Sequence, residues 1–325
     1  MSPLRSLRRP ALLACTATVT GALLLSACGS DDGDSGEKSG ASATRRITDA
    51  QGREVTVPRA PQKVVALSEP TLDAALALGV EPVGATAGRG QSGVSTYLAD
   101  KAGKAEVVAT VAEADMEKLA ALQPDLILLD ETTGAKKTVA KLQEIAPTVV
   151  TAKLNEDWKK SFTDTADALN KKADAEKWLK DFDGRVADVK GRLGDNAGRS
   201  VSVIRWQDGA PSVVGKGDGV VGSTLKALGT TRPADQQGAS TGHSEPVSLE
   251  KLDTIDGDWM FFGTLGDRAD GEKAYGQARE VTNFNKLKAQ KNQHVVVVQG
   301  SAWNSAGGPL SAQVVLDDIE KALAE

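Results

Sequence analysis

Histidine, cysteine and aromatic residues are scarce in this sequence. Two of its 325 residues are histidine and two are cysteine, so a zinc enzyme with two or three histidine ligands is disfavoured. The net charge is -5 and there is no run of Lys or Arg, which argues against a protein that binds a nucleic-acid backbone. Aromatic residues make up 4% of the chain, so each one in a loop is a candidate for a specific role.

The N-terminal segment has the features of a bacterial export signal. Three arginines precede an uncharged apolar stretch at residues 11–27, which is too short and too poor in strong hydrophobes to span a membrane. The stretch ends in Leu-Ser-Ala-Cys, which resembles a lipobox, the motif whose cysteine becomes the lipidated first residue. We therefore predict a signal peptide at residues 1–27 and a lipid anchor on Cys28. An ordinary signal peptide cleaved nearby is the alternative, and the twin Arg8-Arg9 leaves both Sec and Tat export open.

A flexible tether is expected between the anchor and the folded part. Residues 29–44 contain glycine, serine and charged residues but no residue that would join a core, so the tether is assigned to residues 28–44. Cleavage would remove Cys15 and lipidation would block Cys28. The mature chain is therefore expected to have no disulfide, and a domain of this size needs none.

Apolar strands and helices alternate through the rest of the chain. Strands are predicted at residues 64–67, 82–86, 125–129, 148–151, 201–204, 212–215, 260–262 and 295–298, and helices at 71–78, 116–122, 220–228 and 311–323. Continuous apolar strands that alternate with helices are typical of an α/β fold with largely parallel sheets covered on both faces.

A helical pattern joins the two halves. Apolar residues at 4–3 spacing predict one helix from about residue 163 to residue 192, roughly 45 Å long, which is more than one small domain needs. We therefore predict two similar α/β lobes, at residues 45–160 and 195–325, joined by a linking helix at residues 161–194.

The two halves also share a sequence pattern. Residues 117–129 (EKLAALQPDLILL) and 250–262 (EKLDTIDGDWMFF) begin with E-K-L, have an aspartate at the same later position and end in three large apolar residues. Because each copy lies in a similar helix-to-strand context, internal duplication explains the match better than coincidence.

Two motifs that could indicate an enzyme have simpler explanations. Gly217-x-Gly219-x-x-Gly222 matches the dinucleotide fingerprint, but a turn that opens a helix favours the same glycines. Ser223 and Lys226 match the S-x-x-K of penicillin-recognising enzymes, but the companion motifs S-D-N and K-T-G are missing. We expect a protein that is not an enzyme, and an exported acyl-enzyme that uses Ser223 is the rival from a different class.

Scarce residue types follow the predicted strands. In an open α/β sheet, ligands bind beyond the carboxyl ends of the strands, and two lobes would bring these loops together across a cleft. The candidate ligand-binding residues are the strand-end residues Arg205, Trp206, Trp303, Asn304, Arg89 and Tyr97, together with His243 from a Gly/Ser-rich loop. A structural role is the alternative for each: an arginine could pair with a carboxylate between the lobes, and an aromatic residue could pack under a loop.

These features together resemble a known family. The lipobox and the segments ITDAQGREVTVPRAPQKVVAL, TLDAALALGVEPVGAT, EKLAALQPDLILL and GGPLSAQVVLDDIEKAL are similar to iron-siderophore substrate-binding lipoproteins of ABC importers, over about residues 46–324. The resemblance implies two Rossmann-like lobes, a rigid helical backbone, a shallow cleft that closes only slightly and transfer of the ligand to a membrane permease. Ferric siderophores, haem and cobalamin are ligands within this wider family.

The resemblance also implies roles for particular residues. Arg205 matches a position at which members that take ferric hydroxamates use an arginine, and here a tryptophan follows it. A guanidinium donates to several chelate oxygens at once, and tryptophan covers apolar linkers. Glu117 matches the first-lobe acid that docks the permease. The second-lobe helix has Lys226 where an acid is common, which leaves Glu250 and Asp218 as unassigned candidates.

The sequence predicts a monomeric, lipid-anchored receptor outside the cytoplasm that binds a ferric siderophore and delivers it to an ABC permease. A hydroxamate is favoured, because a highly anionic catecholate complex would need more basic residues than Arg205 and Arg89. Six siderophore oxygens would occupy all coordination positions of the iron, so no protein metal ligand is expected. No cofactor and no nucleic-acid partner is expected either. Haem or cobalamin is the alternative, and haem would require an axial ligand such as His243 or Tyr97. A structural lipoprotein that binds no small molecule is a further alternative.

Overall fold

The computed structural model describes residues 43–131, 133–153, 156–239 and 242–324. The predicted signal peptide, Cys28 and nearly all of the tether lie outside the described residues. Within the described ranges, no helix is both long enough and apolar enough to cross a membrane.

An antiparallel hairpin that the sequence analysis did not assign opens the described chain. Its strands are β1 (Thr44–Thr48) and β2 (Glu54–Pro58). Ile47, Val55 and Val57 alternate with exposed residues and pack into the core of the first lobe. One face of the hairpin therefore lies on the core and the other faces solvent, as is common for antiparallel strands.

The first lobe is built on a five-stranded parallel sheet with the order β5-β4-β3-β6-β7. Its elements, in chain order, are β3 (Val64–Ala66), α1 (Glu69–Ala77), β4 (Gly84–Thr86), α2 (Ala99–Ala102), β5 (Glu106–Ala109), α3 (Met116–Ala121), β6 (Leu126–Asp130), α4 (Thr133–Gln143) and β7 (Thr148–Ala152). Strand β6 is buried along its whole length. Leu126 and Leu128 enter one core cluster, and Ile127 and Leu129 enter another, so both faces of the sheet are covered as predicted.

Two helices connect the lobes, where the sequence predicts one. They are α5 (Trp158–Ala168) and α6 (Lys172–Gly191). Asn170 interrupts the helical path because it has a φ of +58°, and its side-chain Nδ2 donates to the carbonyl of Arg59 at 3.1 Å. Helix α6 alone has 20 residues, which corresponds to about 30 Å.

Aromatic side chains pack where the linking helices meet both lobes. We call Trp158, Phe162, Trp178 and Phe182 the aromatic junction; the contacting rings have centroids 5.2 to 6.2 Å apart. Trp178 and Leu179 pack against the cores of both lobes. Helix α6 therefore contacts the cores of both lobes.

The second lobe is built on a four-stranded sheet with the order β11-β10-β8-β9. Its elements are β8 (Val201–Gln207), β9 (Ala210–Val213), α7 (Val220–Leu228), β10 (Trp259–Gly263), α8 (Arg268–Ala278), α9 (Lys288–Lys291), β11 (Val295–Val297), α10 (Gly300–Trp303) and α11 (Pro309–Leu323). β8, β10 and β11 are parallel, and β9 is antiparallel to β8. Asp208 and Gly209 both have positive φ between β8 and β9, which is the Asp-Gly hairpin turn that a right-handed strand twist favours.

The two copies of the repeated pattern occupy equivalent places in the two sheets. The first copy ends in β6, which lies between β3 and β7, and the second ends in β10, which lies between β8 and β11. The copies differ before the strand: the first has helix α3, and the second has a 3₁₀ turn at Leu252–Ile255. The shared sheet position supports the predicted duplication.

Candidate ligand-binding site

Loops from both lobes meet beyond the carboxyl ends of the parallel strands. The loop after β4 contacts the loops after β10 and β11: Gln91 Nε2 donates to the carbonyl of Leu265 at 2.9 Å, and the hydroxyls of Thr96 and Ser301 are 2.9 Å apart. Gln299 Nε2 also donates to Thr96 Oγ1 at 2.9 Å. We call this edge, where the loops of the two lobes meet, the cleft, because open α/β sheets bind ligands there.

Arg205 reaches this edge from the second lobe. It lies on β8, where it pairs with Gly263 of β10, and it is 5% exposed. Its buried Nε has no hydrogen-bond partner, and among the described residues its guanidinium forms no ion pair with a carboxylate. Burial first, and the positive charge of Arg89 second, lower the pKa of Arg205. A buried cation without a counter-ion is costly, so this position favours an anion from outside the chain.

Arg89 approaches from the first lobe. It is exposed in the loop after β4, and its charge acts on both Arg205 and Glu69. Within the described ranges it forms no ion pair closer than 4 Å. The structure therefore brings Arg89 and Arg205 from opposite lobes within electrostatic reach of each other.

Trp206 points away from Arg205. The sequence analysis ended the strand at residue 204, but β8 continues to Gln207, so consecutive side chains lie on opposite faces. Trp206 is 4% exposed and stacks on Phe262 with centroids 5.8 Å apart. Its burial in the second-lobe core argues against the expected ligand contact.

Trp303 is also part of the core. It is 1% exposed, stacks on Phe261 at 4.5 Å and donates its Nε1–H to Asp318 Oδ2 at 2.9 Å. The Gly-rich neighbours suggested little for this ring to pack on, but α10 places it against β10 and α11. Asn304 follows it and donates Nδ2–H to the carbonyl of Thr264 at 2.7 Å. The Oδ1 of Asn304 is buried without a partner and is an available acceptor at the end of β10.

Tyr97 belongs to a cluster of polar side chains between the lobes. Its hydroxyl donates to Asp73 Oδ2 at 2.8 Å. Burial and the negative charges of Asp73 and Glu69 raise the pKa of Tyr97 well above its usual range. The phenol is therefore held in its neutral form and engaged, which argues against the expected role in ligand binding.

Asp73 caps helix α11 from the other lobe. It lies on α1, is fully buried and accepts hydrogen bonds from the backbone N–H groups of Gly308, Leu310 and Ser311 at 2.7 to 3.1 Å. These are among the first N–H groups of α11, which have no acceptor within the helix. Burial raises the pKa of Asp73 to about 6, although these hydrogen bonds oppose the rise.

Glu69 lies one helical turn before Asp73 and is 8% exposed. It accepts hydrogen bonds from Ser95 of the first lobe at 2.7 Å and from Ser305 of the second at 2.5 Å. We call Glu69, Asp73, Tyr97, Ser95 and Ser305 the carboxylate joint. The sequence analysis missed it, although two acidic residues four positions apart in an otherwise apolar helix, EPTLDAALA, were a signal.

The pKa of Glu69 is shifted more strongly than that of Asp73. Burial is the largest cause and raises it to about 7, and the negative charge of Asp73 also raises it. The hydrogen bonds from Ser305 and Ser95 and, to a smaller extent, the positive charge of Arg89 lower it. Glu69 therefore titrates near neutral pH at the border of the cleft.

His243 lies away from this edge. It is exposed, and its Nδ1 is 2.9 Å from the carbonyl oxygen of Ser244. Ser244 N–H donates to the carbonyl of Val213, whose strand partner is Ile204, so this segment runs beside β9 and short of the carboxyl end of β8. This position argues against the expected ligand contact.

Ser223 has a structural environment. Its hydroxyl donates to the carbonyl of Gly219 at 2.8 Å and accepts a hydrogen bond from Trp158 Nε1 at 3.0 Å. Lys226 is directed to Asp218, 3.9 Å away, instead of to Ser223. The glycine motif is a turn: a Cβ on Gly222 would lie 2.2 Å from the carbonyl oxygen of Gly217. Nothing in this geometry activates a nucleophile.

Glu117 is exposed in the first turn of α3. Asp115 caps this helix by accepting a hydrogen bond from Lys118 N–H at 3.1 Å. A helix that connects two parallel strands runs antiparallel to them, so its first turn lies at the same edge of the sheet as the cleft. Glu117 is therefore accessible on the face of the lobe that carries the cleft.

Comparison with known proteins identifies the family. A family model described as "periplasmic binding protein" matches residues 64–302. The chain belongs to this family. The relation confirms the family and the two-lobed α/β fold that the sequence pattern indicated.

Individual relatives of this periplasmic binding protein match over nearly their whole length. The "probable siderophore-binding lipoprotein YfiY" of Bacillus subtilis is 33% identical over 305 residues, which cover 92% of this chain and 93% of the relative. The "iron(3+)-hydroxamate-binding protein FhuD" of the same organism is 30% identical over 310 residues, 93% of this chain and 94% of the relative. The crystal structure of Staphylococcus aureus SirA complexed with staphyloferrin B superimposes with a TM-score of 0.71 at 26% identity, covering 86% of this chain and 98% of SirA.

Proposed function

We propose that this periplasmic binding protein is an extracytoplasmic receptor that binds a ferric siderophore with net negative charge and delivers it to an ABC permease. The observation that carries the charge argument is the pair Arg89 and Arg205, which come from opposite lobes and have no carboxylate paired to either guanidinium among the described residues. An anionic chelate would supply the missing counter-charge to both lobes at once.

The chemical class follows from what borders the cleft. The sequence analysis favoured a hydroxamate, with Trp206 and Trp303 as its aromatic cover, but both indoles are buried in the core. Two arginines without aromatic cover favour a chelate with carboxylate or hydroxycarboxylate donors, alone or mixed with hydroxamate. The staphyloferrin B complex of SirA is an example of a ferric chelate bound on this fold, and the hydroxamate-binding FhuD is another relative, so the charge argument and not the fold carries this choice.

Iron coordination and anchoring remain parts of the proposal. We expect the oxygens of the siderophore to occupy all coordination positions of the iron, so that the protein supplies hydrogen bonds and charge but no metal ligand or cofactor. Cys28 is proposed as the lipid anchor, which the lipoprotein named YfiY supports. Glu117 is proposed as the permease contact of the first lobe.

The alternatives have less support. A haem ligand would need an axial donor, but Tyr97 donates to Asp73 and His243 lies beside β9. An acyl-enzyme would need Ser223 next to a base, but the hydrogen-bond partners of its hydroxyl among the described residues are Gly219, Val220 and Trp158.

A ligand titration tests the proposal. The mature protein is titrated with ferric staphyloferrin B, a neutral ferric trihydroxamate, haem and cobalamin, and tryptophan fluorescence is measured. We expect the anionic ferric chelate to bind most tightly and cobalamin not to bind. Binding confined to haem or cobalamin would refute the siderophore function, and preference for the neutral trihydroxamate would refute the charge argument.

A further inference from the structure

A carboxylate lies at the border of the cleft, within electrostatic reach of Arg89. Glu69 begins helix α1 directly after β3, at the carboxyl edge of the first sheet. Its two oxygens are held by one serine from each lobe, Ser95 and Ser305. Its carboxylate is thus fixed in position by both lobes. The positive charge of Arg89 lowers its pKa, although the two groups do not form an ion pair.

Three segments of the chain place charged or polar groups around Glu69. On its own helix lies Asp73, from the loop after β4 come Arg89 and Tyr97, and the segment after α10 contributes the neutral Ser305. Asp73 is occupied by the first N–H groups of α11 and by the Tyr97 hydroxyl. Glu69 is therefore the member of the carboxylate joint whose ionisation changes the charge that the cleft presents.

We propose that Glu69 sets the charge of the cleft, so that binding of an anionic chelate at Arg89 and Arg205 is accompanied and favoured by protonation of Glu69. The proposal rests on the function proposed above. When Glu69 is ionised, its negative charge offsets part of the charge of Arg89 and repels the chelate. When Glu69 is protonated, this offset of the charge of Arg89 is lost.

The coupling must work in both directions. A chelate that brings negative charge close to Glu69 raises the affinity of Glu69 for a proton, and the proton raises the affinity of the cleft for the chelate by the same factor. Because the pKa of Glu69 is already about 7 in the ligand-free protein, the effect falls in the range in which a cell-surface receptor works. A neutral chelate should show little of it.

The first experiment needs no ligand. Thermal unfolding is measured from pH 5 to pH 8.5 for the parent, for Glu69→Gln and for the control Glu81→Gln, which removes an exposed acid at the opposite edge of the first sheet. The pKa of Glu69 is raised from 4.5 to about 7 in the folded state, so its contribution to stability is present below pH 4.5 and is lost as the pH rises through 7. The unfolding temperature of the parent and of Glu81→Gln should therefore fall more steeply between pH 5 and 7.5 than that of Glu69→Gln.

A second variant separates titration from simple loss of packing. Ser305→Ala removes a hydrogen bond that favours the ionised form of Glu69, so the fall in unfolding temperature should move to higher pH. Equal slopes for the parent and Glu69→Gln, with no shift for Ser305→Ala, would overturn the titration of Glu69 near neutrality.

The second experiment measures dissociation constants for ferric staphyloferrin B at pH 6 and pH 8. If the chelate raises the pKa of Glu69 by about one unit, the affinity of the parent falls by up to about tenfold over this range. Glu69→Gln should bind at both pH values nearly as tightly as the parent at pH 6, and Glu81→Gln should follow the parent. Since all three proteins meet the same ligand, pH-dependent chemistry of the chelate itself cancels in the comparison.

The outcomes distinguish the two proposals. Parallel pH profiles for the parent and Glu69→Gln would refute charge control by Glu69 and leave the siderophore function intact. If no protein binds the anionic chelate at either pH, the proposed ligand class is refuted and charge control of its binding with it. The ligand-free profiles still decide in that case whether Glu69 titrates near neutral pH.

Discussion

Two of the places at which the lobes meet differ in their chemistry. At the aromatic junction, four rings from α5 and α6 pack edge to face or stack, and none of them titrates. At the carboxylate joint, α1 of the first lobe meets the start of α11 through buried acids and hydroxyls. The aromatic junction lies on the linking helices, whereas the carboxylate joint borders the cleft.

The difference predicts that the two places depend differently on pH. Apolar packing contributes stability that does not depend on pH, so we expect the contribution of the aromatic junction to be the same at every pH at which the protein folds. Buried carboxylates contribute stability that depends on their protonation, so the carboxylate joint connects the same two lobes to the charge of the cleft. The predictions below test whether the two places differ in this way.

The largest expected effect comes from breaking the aromatic junction. Phe162→Ala empties a site that is 1% exposed and should lower the free energy of unfolding by about 3–5 kcal/mol. The loss should be the same at pH 6 and pH 8, because no charge is involved, and denaturant unfolding at both pH values measures it. Phe162→Leu, which keeps most of the apolar volume, should lose much less; a clear pH dependence in Phe162→Ala would contradict the comparison.

The next effect concerns ligand binding at the cleft. Arg205→Ala should weaken binding of an anionic ferric chelate by about 1.5–3 kcal/mol, or roughly 10- to 150-fold in Kd, and Arg205→Lys should recover only part, because lysine lacks the planar fork. Titration of fluorescence quenching measures both. Arg199→Ala removes an exposed arginine before the same strand and should bind like the parent.

Stability distinguishes the two explanations of an Arg205 effect. Since Arg205 Nε is buried without a partner, Arg205→Ala should unfold at a temperature close to that of the parent. Equal affinity in Arg205→Ala and parent would refute the assignment, and a joint loss of affinity and thermal stability would indicate a structural role. Trp206→Ala should show the opposite pattern, with lower stability and little change in affinity.

A smaller, pH-dependent loss is expected at the carboxylate joint. Asp73→Ala leaves three N–H groups of α11 without their acceptor and should cost about 1–3 kcal/mol of unfolding free energy. The pKa of Asp73 is raised from 3.8 to about 6, so the favourable contribution of this carboxyl group is greatest below pH 3.8 and declines as the pH rises through 6. Asp73→Ala should therefore lose more stability at pH 5 than at pH 7.5.

Tyr97→Phe is the matched control for that variant. It removes one hydrogen bond of the joint and keeps the ring and the acid, so it should cost about 1 kcal/mol or less. Denaturant unfolding at pH 5 and pH 7.5 measures both variants. A loss in Asp73→Ala that is smaller than that of Tyr97→Phe would contradict the role of Asp73 as the helix cap. A loss that is independent of pH would contradict the raised pKa of Asp73.

The smallest effect on the isolated protein is expected outside both contact regions. Glu117→Arg should change stability by only a few tenths of a kcal/mol, because Glu117 is an exposed acid at a helix start, and should leave Kd unchanged. In cells it should reduce iron-siderophore uptake, because a like charge at the permease contact is repulsive. Glu81→Arg makes the same charge change at the opposite edge of the lobe, and cells that carry it should take up the iron-siderophore normally. Normal uptake with Glu117→Arg, present at the parental protein level, would show that Glu117 acts only as a charge at a helix end.

The sequence by itself determined the alternation of strands and helices. Strand β6 has an uninterrupted apolar run, which only a sheet covered on both faces can bury, so its class could be inferred without any contact. The glycines at 217, 219 and 222 could likewise be interpreted as a turn that opens a helix, because such turns favour glycine. The structure agrees at Gly222, where a Cβ would lie 2.2 Å from the carbonyl oxygen of Gly217. Repetition of the pattern before β6 and β10 indicated two related lobes, and the family followed from these segments together.

Only the tertiary structure decided which side chains face the cleft. Strand β8 extends three residues past Ile204, so Arg205 and Trp206 lie on opposite faces of the sheet. Because side chains alternate between the faces of a strand, a small error in the predicted strand end changes which of the two is expected to face the cleft. At the break between α5 and α6, the side chain of Asn170 contacts Arg59, 111 residues earlier in the chain. The carboxylate joint brings Asp73 to backbone groups 235 to 238 residues away. Local propensity and periodicity contain no information on contacts at such separations. These contacts bury Glu69, and its protonation depends on that burial.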